Sequence, residues 1–346
     1  MNTPESMRAL EFQAIGKLAE VRLPVPEPKP DEALVRTGAA TICTSDLNDL
    51  AYNPFGIVLP RVLGHEGAGV VAAVGKEVGE LRPGDRVAAH PVIPCRVCDN
   101  CRRGLGHLCS NLGHLGLDRN GTYAEFFCVR QDRLRRVPAG TELACAALLE
   151  PVAVCLEAIE RSRLQPGETL AIVGDGPFGV LIARLALLRQ AGRTILVGRH
   201  DFRLGQVPGA IRINAARTPD LVKAVREANQ GAGVDAAIMA VGNQQALDLC
   251  LASLRTRGRA VVFSGVGGAV NVNLFRLHTQ ELEILGACND QDLIDGALNQ
   301  LADPKLGLCS LVTHRLPFDQ WKQAFDLARN GKDRALKIAL LFDHSS

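Results

Sequence analysis

Three clusters of side chains in this chain have the types and spacing to do chemistry. Gly64-His65-Glu66 puts an imidazole nitrogen and a carboxylate oxygen on adjacent residues. The run continues Gly67-Ala68-Gly69, and its glycines let the backbone crowd close to whatever those two groups hold. A metal ion is the natural guest, and an exposed turn is the plainer alternative. Cys95, Cys98, Cys101 and Cys109 form C-x2-C-x2-C-x7-C. Three thiolates spaced by two residues can wrap one side of a tetrahedral ion, and a fourth closes the shell with no open position, which marks a structural zinc site. Zinc binding by small finger peptides is worth on the order of 10 to 16 kcal/mol. Here it would order a lobe containing Arg102, Arg103, Gly104 and Gly106 that has little apolar material of its own. With four cysteines filling the shell, His107 and His114 are expected at the surface. The third cluster is Gly174-Asp175-Gly176-Pro177-Phe178-Gly179, a G-x-G-x-x-G fingerprint.

The fingerprint carries weight because of what flanks it. Leu170-Ala171-Ile172-Val173 reads as a buried strand, and Val180, Leu181, Ala183, Leu185 and Leu188 recur at helical spacing after the glycines. In that setting the first glycine makes the tight turn, the second lets a pyrophosphate approach the backbone, and the third packs helix on strand. The helix N-terminus offers unpaired N–H groups to the phosphates. Further strands are expected at 194–197, 211–214, 235–240, 260–263 and 282–285, with helices at 221–230 and 244–254, giving a doubly wound six-stranded sheet. Before residue 148 the texture is different. Residues 8 to 40 alternate apolar and polar positions between Pro24, Pro26, Pro28 and Pro30, and strands continue around the turn Pro83-Gly84, so the first domain reads as mostly β. After about residue 289 come a helix over 292–301, a second containing Phe318, Trp321 and Phe325, and a strand over 336–342 that returns to the first domain. The expected division is therefore 1–148 with 289–346, and 149–288 as the dinucleotide-binding domain.

At 346 residues the chain exceeds what one hydrophobic core usually supports. Lys and Arg number 39 against 37 Asp and Glu, with no basic block, so nucleic acid is an unexpected partner. The start, Met1-Asn2-Thr3-Pro4-Glu5-Ser6, lacks the basic-then-apolar order of a signal peptide, and Glu150, Pro151 and Glu157 interrupt the longest apolar run; a cytoplasmic protein with no membrane partner is expected. In such a compartment thiols stay reduced, so Cys128, Cys145, Cys155, Cys250, Cys288 and Cys309 read as small core residues.

A β-rich first domain with Gly-His-Glu and a four-cysteine loop, then an inserted Rossmann domain, resembles the medium-chain dehydrogenase/reductase superfamily, specifically its zinc-dependent alcohol and polyol dehydrogenases. The motifs that carry the resemblance are G-H-E-x-x-G with Gly75 and Val78, Gly84-Asp85-Arg86-Val87, the cysteine loop and Glu150-Pro151. It implies an α/β fold, with a GroES-like mostly-β catalytic domain plus an inserted doubly wound Rossmann domain, and a catalytic zinc in the cleft between them. Its ligands by motif are Cys43, His65 and Glu150, with Glu66 an alternate or second-shell ligand. Thiolate, imidazole and carboxylate leave a fourth position open, the mark of a catalytic zinc. As a Lewis acid the ion would stabilise an alkoxide and prepare the carbinol carbon to give hydride to nicotinamide. Glu150, where the liver-type alcohol dehydrogenases usually have cysteine, resembles the sorbitol and threonine dehydrogenase branch and favours a secondary alcohol or polyol. Asp46 matches the carboxylate that hydrogen-bonds the ligand histidine and also suits a helix cap. By the same analogy the protein is expected to be a dimer or tetramer, and Tyr52, Phe55 and Tyr123 are candidates for the pocket lining.

Two departures from the family pattern bear on mechanism. Ser45 stands where the proton relay begins, but Asn48 replaces the usual histidine, and an amide cannot titrate near neutral pH. Ser45 is expected to contact the substrate oxygen while the proton leaves through cofactor ribose or water. At the end of the second Rossmann strand, Gly198-Arg199-His200 puts glycine where NAD enzymes place a ribose-binding acid. Arginine can clamp a 2′-phosphate, and a charge-assisted hydrogen bond of roughly 1.5 to 3 kcal/mol would be worth about tenfold to 150-fold in affinity. NADP(H) is therefore expected over NAD(H). The cofactor-binding set is Gly174, Gly176, Pro177, Phe178, Gly179, Gly198, Arg199, His200, Arg203 and Lys337. The alternatives are a zinc-independent quinone or enone reductase and a catalytically silent NADPH-binding sensor or structural protein.

Overall fold

The computed structural model describes residues 3–331 and 334–342. Residues 1–2, 332–333 and 343–346, which the expected first domain includes, lie outside the described residues. Contacts divide the chain into two units, one formed by the chain up to Ala153 together with the chain from Gln291 onward, the other Val154–Asp290.

The first unit is built on a seven-stranded sheet whose middle is the run Glu66–Val74, Glu32–Thr41, Lys337–Leu341. Glu32–Thr41 is antiparallel to both neighbours, with Thr41 opposite Glu66 on one side and Ala339 on the other. Residues distant in sequence thereby meet at one end of the sheet. The alternation read from Arg8 to Phe12 forms the strand Ser6–Ala14, whose apolar Met7, Ala9, Leu10 and Phe12 are buried. They join Tyr123, Phe325 and Leu340 in one apolar core. Lys337–Leu341 and Val312–Pro317 pair in parallel, and the helix Trp321–Asn330 buries Ala324, Phe325 and Leu327.

Three cysteines depart from expectation. Cys145 and Cys309 form a disulfide across 164 residues, linking the helix Leu143–Ala146 to the 3-10 turn Leu308–Leu311. No local spacing marks such a pair. Cys288, expected in a core, is exposed.

The second unit is a parallel sheet in the order Ile211–Asn214, Arg193–Gly198, Thr169–Val173, Val234–Met239, Leu254–Val262, Glu283–Gly286. Numbered along the chain that is 3-2-1-4-5-6, the doubly wound dinucleotide-binding order. Every residue of Thr169–Val173 is buried, as a central parallel strand covered on both faces requires. The fifth strand begins six residues before the expected 260, because Arg255, Thr256 and Arg257 are exposed and break the apolar run that marks a buried strand. Among the described residues no helix is long and apolar enough to cross a membrane.

Candidate metal centre and cofactor site

The side chains with metal-binding chemistry come from the end of the central strands. Cys43 follows Glu32–Thr41 directly and caps the helix Thr44–Tyr52 with extended backbone angles. Asp46 closes the capping box by accepting from the Cys43 N–H at 2.9 Å, and its other oxygen lies 3.2 Å from His65 Nδ1. One carboxylate is thus both helix cap and histidine partner. The Tyr123 hydroxyl also donates to Asp46, at 2.6 Å. Burial alone would raise the Asp46 pKa, but the facing His65 holds it below the ordinary carboxylate range. Burial would likewise depress His65, and Asp46 overrides it, holding the imidazole pKa well above its usual value. With Nδ1 engaged by Asp46, Nε2 is the nitrogen left for a ligand.

Ligand atoms of Cys43, His65 and Glu66 lie within 4.8 Å of one another, and all three residues are buried. The Glu66 carboxylate is already held: the ammonium of Lys337 sits on both its oxygens, and the Thr41 hydroxyl donates to one of them. Lys337, expected at the cofactor, is 2% exposed within the first unit, where its strand register brings it beside Glu66. Glu150 lies outside the tight cluster but feels the charges of His65 and Glu66. Burial pushes its pKa up to about 7, and its Oε2 is buried with no hydrogen-bond partner among the described residues. A buried thiol and an oriented imidazole that converge, with an orphaned, desolvated carboxylate oxygen within reach of the His65 charge, fit a divalent ion that accepts S, N and O donors, as zinc does.

Ser45 is half-buried and Asn48 exposed, both on Thr44–Tyr52. Tyr52 and Phe55 are largely exposed. Tyr123, expected in a pocket wall, is fully buried and spends its hydroxyl on Asp46. His114, expected at the surface, is half-buried with its ring 5.6 Å from that of His65, and burial and the His65 charge push its pKa down to about 3. His107, also expected there, is buried.

The four cysteines of the loop converge as their spacing demands. Sulfurs about 2.3 Å from a central zinc are about 3.8 Å apart at tetrahedral angles; Cys98 and Cys109 stand 3.7 Å apart, Cys95 and Cys101 4.0 Å. Backbone N–H groups of Cys95, Cys98, Cys101 and Asn111 point at sulfur between 3.2 and 3.5 Å. Those donors favour thiolate: the Cys101 amide leads in pulling Cys98 down to about 6.

In the second unit, a Cβ on Gly179 would meet the Gly174 carbonyl oxygen at 1.9 Å, so the third glycine of the fingerprint is required for helix to pack on strand. Gly176 has open space above it and caps the helix Pro177–Leu188 without a side-chain hydrogen bond, as suits a helix N-terminus that faces an anion. Gly198 ends its strand buried, and Arg199 and His200 beyond it are exposed. Arg203 is half-buried on the short helix Asp201–Leu204. The guanidinium groups of Arg199 and Arg203 make no hydrogen bond or ion pair among the described residues. Sequence reasoning passed over Asp175, whose carboxylate spans from the fingerprint to the Arg199 and His200 amides.

Residues 29–139 match the alcohol dehydrogenase GroES-like domain, and residues 177–302 match the zinc-binding dehydrogenase domain. Sorbitol dehydrogenase of Bacillus subtilis (strain 168) is 31% identical over 342 residues, covering 97% of both chains. The chain belongs to the zinc-dependent alcohol and polyol dehydrogenases. It is an oxidoreductase acting on an alcohol or polyol with a nicotinamide cofactor. Among solved structures, a protein from Sinorhizobium meliloti 1021 bound to NADP superposes with a TM-score of 0.91 at 27% identity, covering 98% of this chain and 100% of that one. An alcohol dehydrogenase from E. coli CFT073 complexed with NADH gives a TM-score of 0.91 at 25% identity, with the same coverage. Dehydrogenases of this architecture therefore take either nicotinamide cofactor.

Proposed function

We propose that this enzyme oxidises a secondary alcohol or polyol with NADP, using one catalytic and one structural zinc per chain. The reading of the catalytic site rests on the convergence of Cys43 and His65 with a carboxylate and on the buried, unpartnered Glu150 Oε2, which the family resemblance assigns as the third ligand. Glu66 serves as an alternate ligand in reserve, since Lys337 and Thr41 already satisfy it. Zinc bound there would supply Lewis acidity toward the substrate oxygen. Asp46 fixes the His65 ring, and Ser45 takes the hydrogen bond from the substrate hydroxyl. Asn48 holds a hydrogen bond but cannot pass a proton, so the proton leaves by ribose or water. Cys95, Cys98, Cys101 and Cys109 hold the structural ion.

Two observations support the cofactor preference: Gly198 brings no acid of its own to the adenosine ribose, and Arg199 is exposed and uncommitted beside it. The cation offers a 2′-phosphate a bidentate partner. By resemblance to the family the protein is a cytoplasmic dimer or tetramer. Metal analysis and kcat/KM for NADP and NAD across a panel of secondary alcohols and polyols test the reading. Two zinc ions per chain and at least tenfold better efficiency with NADP are expected. One zinc per chain overturns the catalytic site, and equal or better efficiency with NAD overturns the preference.

A further inference from the structure

Asp175 occupies the variable position after the first glycine of the fingerprint, yet it is 7% exposed and fully engaged. Its Oδ2 accepts the backbone N–H groups of Arg199 at 2.8 Å and His200 at 2.7 Å, and His200 Nδ1 lies 3.1 Å away. The other oxygen is 3.3 Å from the same Nδ1, so that nitrogen carries the proton and donates. Beyond the end of a strand the next amides have no ladder partner and must find one elsewhere. Here a single carboxylate from the neighbouring strand's turn supplies it.

The same carboxylate explains Gly198. A Cβ at that position would stand 2.3 Å from Asp175 Cβ and 2.6 Å from Oδ2. The space a residue-198 side chain would take is therefore filled from the first βα turn, and any side chain at 198 would expel Asp175. Where an acid rooted at 198 would offer free oxygens to the ribose, this one is consumed by two amides and an imidazole. Its charge is spent on fixing the backbone of 199–200. Arg217, the other nearby cation, is held by Asp201, which also accepts from Asn214 at 2.7 Å. Arg199 and Arg203, on or next to the segment Asp175 anchors, make no such pair among the described residues.

We propose that Asp175 is a positioning residue for the adenosine end of the cofactor: by pinning the Arg199 and His200 amides and the His200 ring, it aims Arg199 at the ribose 2′ substituent and sets discrimination between NADPH and NADH. The direction of the effect rests on the NADP preference argued above; the assignment of the residue does not. A carboxylate that merely stiffened the fold would affect both cofactors alike, so the informative quantity is the ratio of their affinities.

The test is direct binding of NADPH and NADH to the zinc-loaded protein, followed by fluorescence titration, for wild type, Asp175→Asn and Gly198→Ala. The first variant removes the charge at nearly constant shape, and the second displaces the carboxylate by sterics, so either carries the test if the other fails to fold. The NADPH-over-NADH affinity ratio is expected to fall at least tenfold in both, chiefly through weaker NADPH binding. A ratio unchanged within about twofold overturns the assignment. A ratio that rises also overturns it, since Asp175 would then be accepting the ribose hydroxyls of NADH. Wild-type protein that binds NADH at least as tightly as NADPH overturns the cofactor preference, while movement of the ratio in the variants still decides the role of Asp175.

Discussion

Between Cys95 and Cys109 four thiols come from one short loop, and the loop's own amides point at the sulfurs. Around Cys43 and His65 the donors come from separate elements, and two of them are held by other side chains: His65 by Asp46, Glu66 by Lys337 and Thr41. The first arrangement favours thiolate at Cys95 and Cys98 in advance and leaves no place for a fifth partner, so it suits an ion that never leaves. The second balances charge against charge in a buried place, with one carboxylate oxygen of Glu150 unsatisfied. Such a site can trade ligands without leaving a bare buried charge, which a catalytic ion with an open position requires. Local amides make a permanent site, and distant charges make an adjustable one.

The largest effect that can break this contrast is loss of the loop ion. Cys98→Ser should remove one zinc per chain and, because structural zinc is worth on the order of 10 kcal/mol, abolish the ordered lobe and lower Tm sharply. Cys43→Ala should remove the other ion and nearly all activity while leaving Tm within a few degrees. Metal stoichiometry and calorimetry on the two variants read the result. Similar losses of Tm would mean that both ions are structural.

A smaller effect tests the adjustable site. Lys337→Met strips a buried carboxylate of its cation, and breaking a buried pair typically costs about 3 to 5 kcal/mol. That loss is expected in chelator-treated protein under denaturant. In zinc-loaded protein it should be smaller, because the freed Glu66 can turn to the ion. Equal losses in both states would show that Glu66 never reaches the metal.

What could be read from the sequence follows the same division. The cysteine loop and the G-x-G-x-x-G turn are local, so spacing alone revealed them, and the strand order followed from alternating strands and helices. Cys43 and Glu150 carry no signal by themselves and emerged only through the resemblance. The pairing of Lys337 with Glu66 carried no signal either, because the two lie 271 residues apart and are brought together by strand register through Thr41. The Cys145–Cys309 bridge and the hydroxyl of Tyr123 on Asp46 have the same character. Asp175 was hidden differently: it sits inside the motif, at a position the motif leaves free.

The smallest predicted effect is a matter of protons. Glu150 must be ionised to bind an ion, and burial sets its metal-free pKa at about 7; His65 must be neutral, and Asp46 holds its metal-free pKa well above the usual value. Metal binding therefore releases the His65 proton at neutral pH, along with the proton Cys43 gives up on ligating as thiolate, and the Glu150 proton as well once the pH is below about 7. The sign follows: protons compete with the ion, affinity falls as pH falls, and the fall steepens when the Glu150 proton joins. Each competing proton costs about tenfold in affinity, or about 1.4 kcal/mol, per pH unit. Zinc affinity at the catalytic site, measured by chelator competition from pH 6 to 8, should show a slope greater by one below about 7 than above it. Glu150→Gln binds more weakly throughout but has no such proton to lose, so its plot should keep one slope across the range. If the break persists in Glu150→Gln, the additional proton belongs to another group, and Glu150 is not the carboxylate that completes the adjustable site.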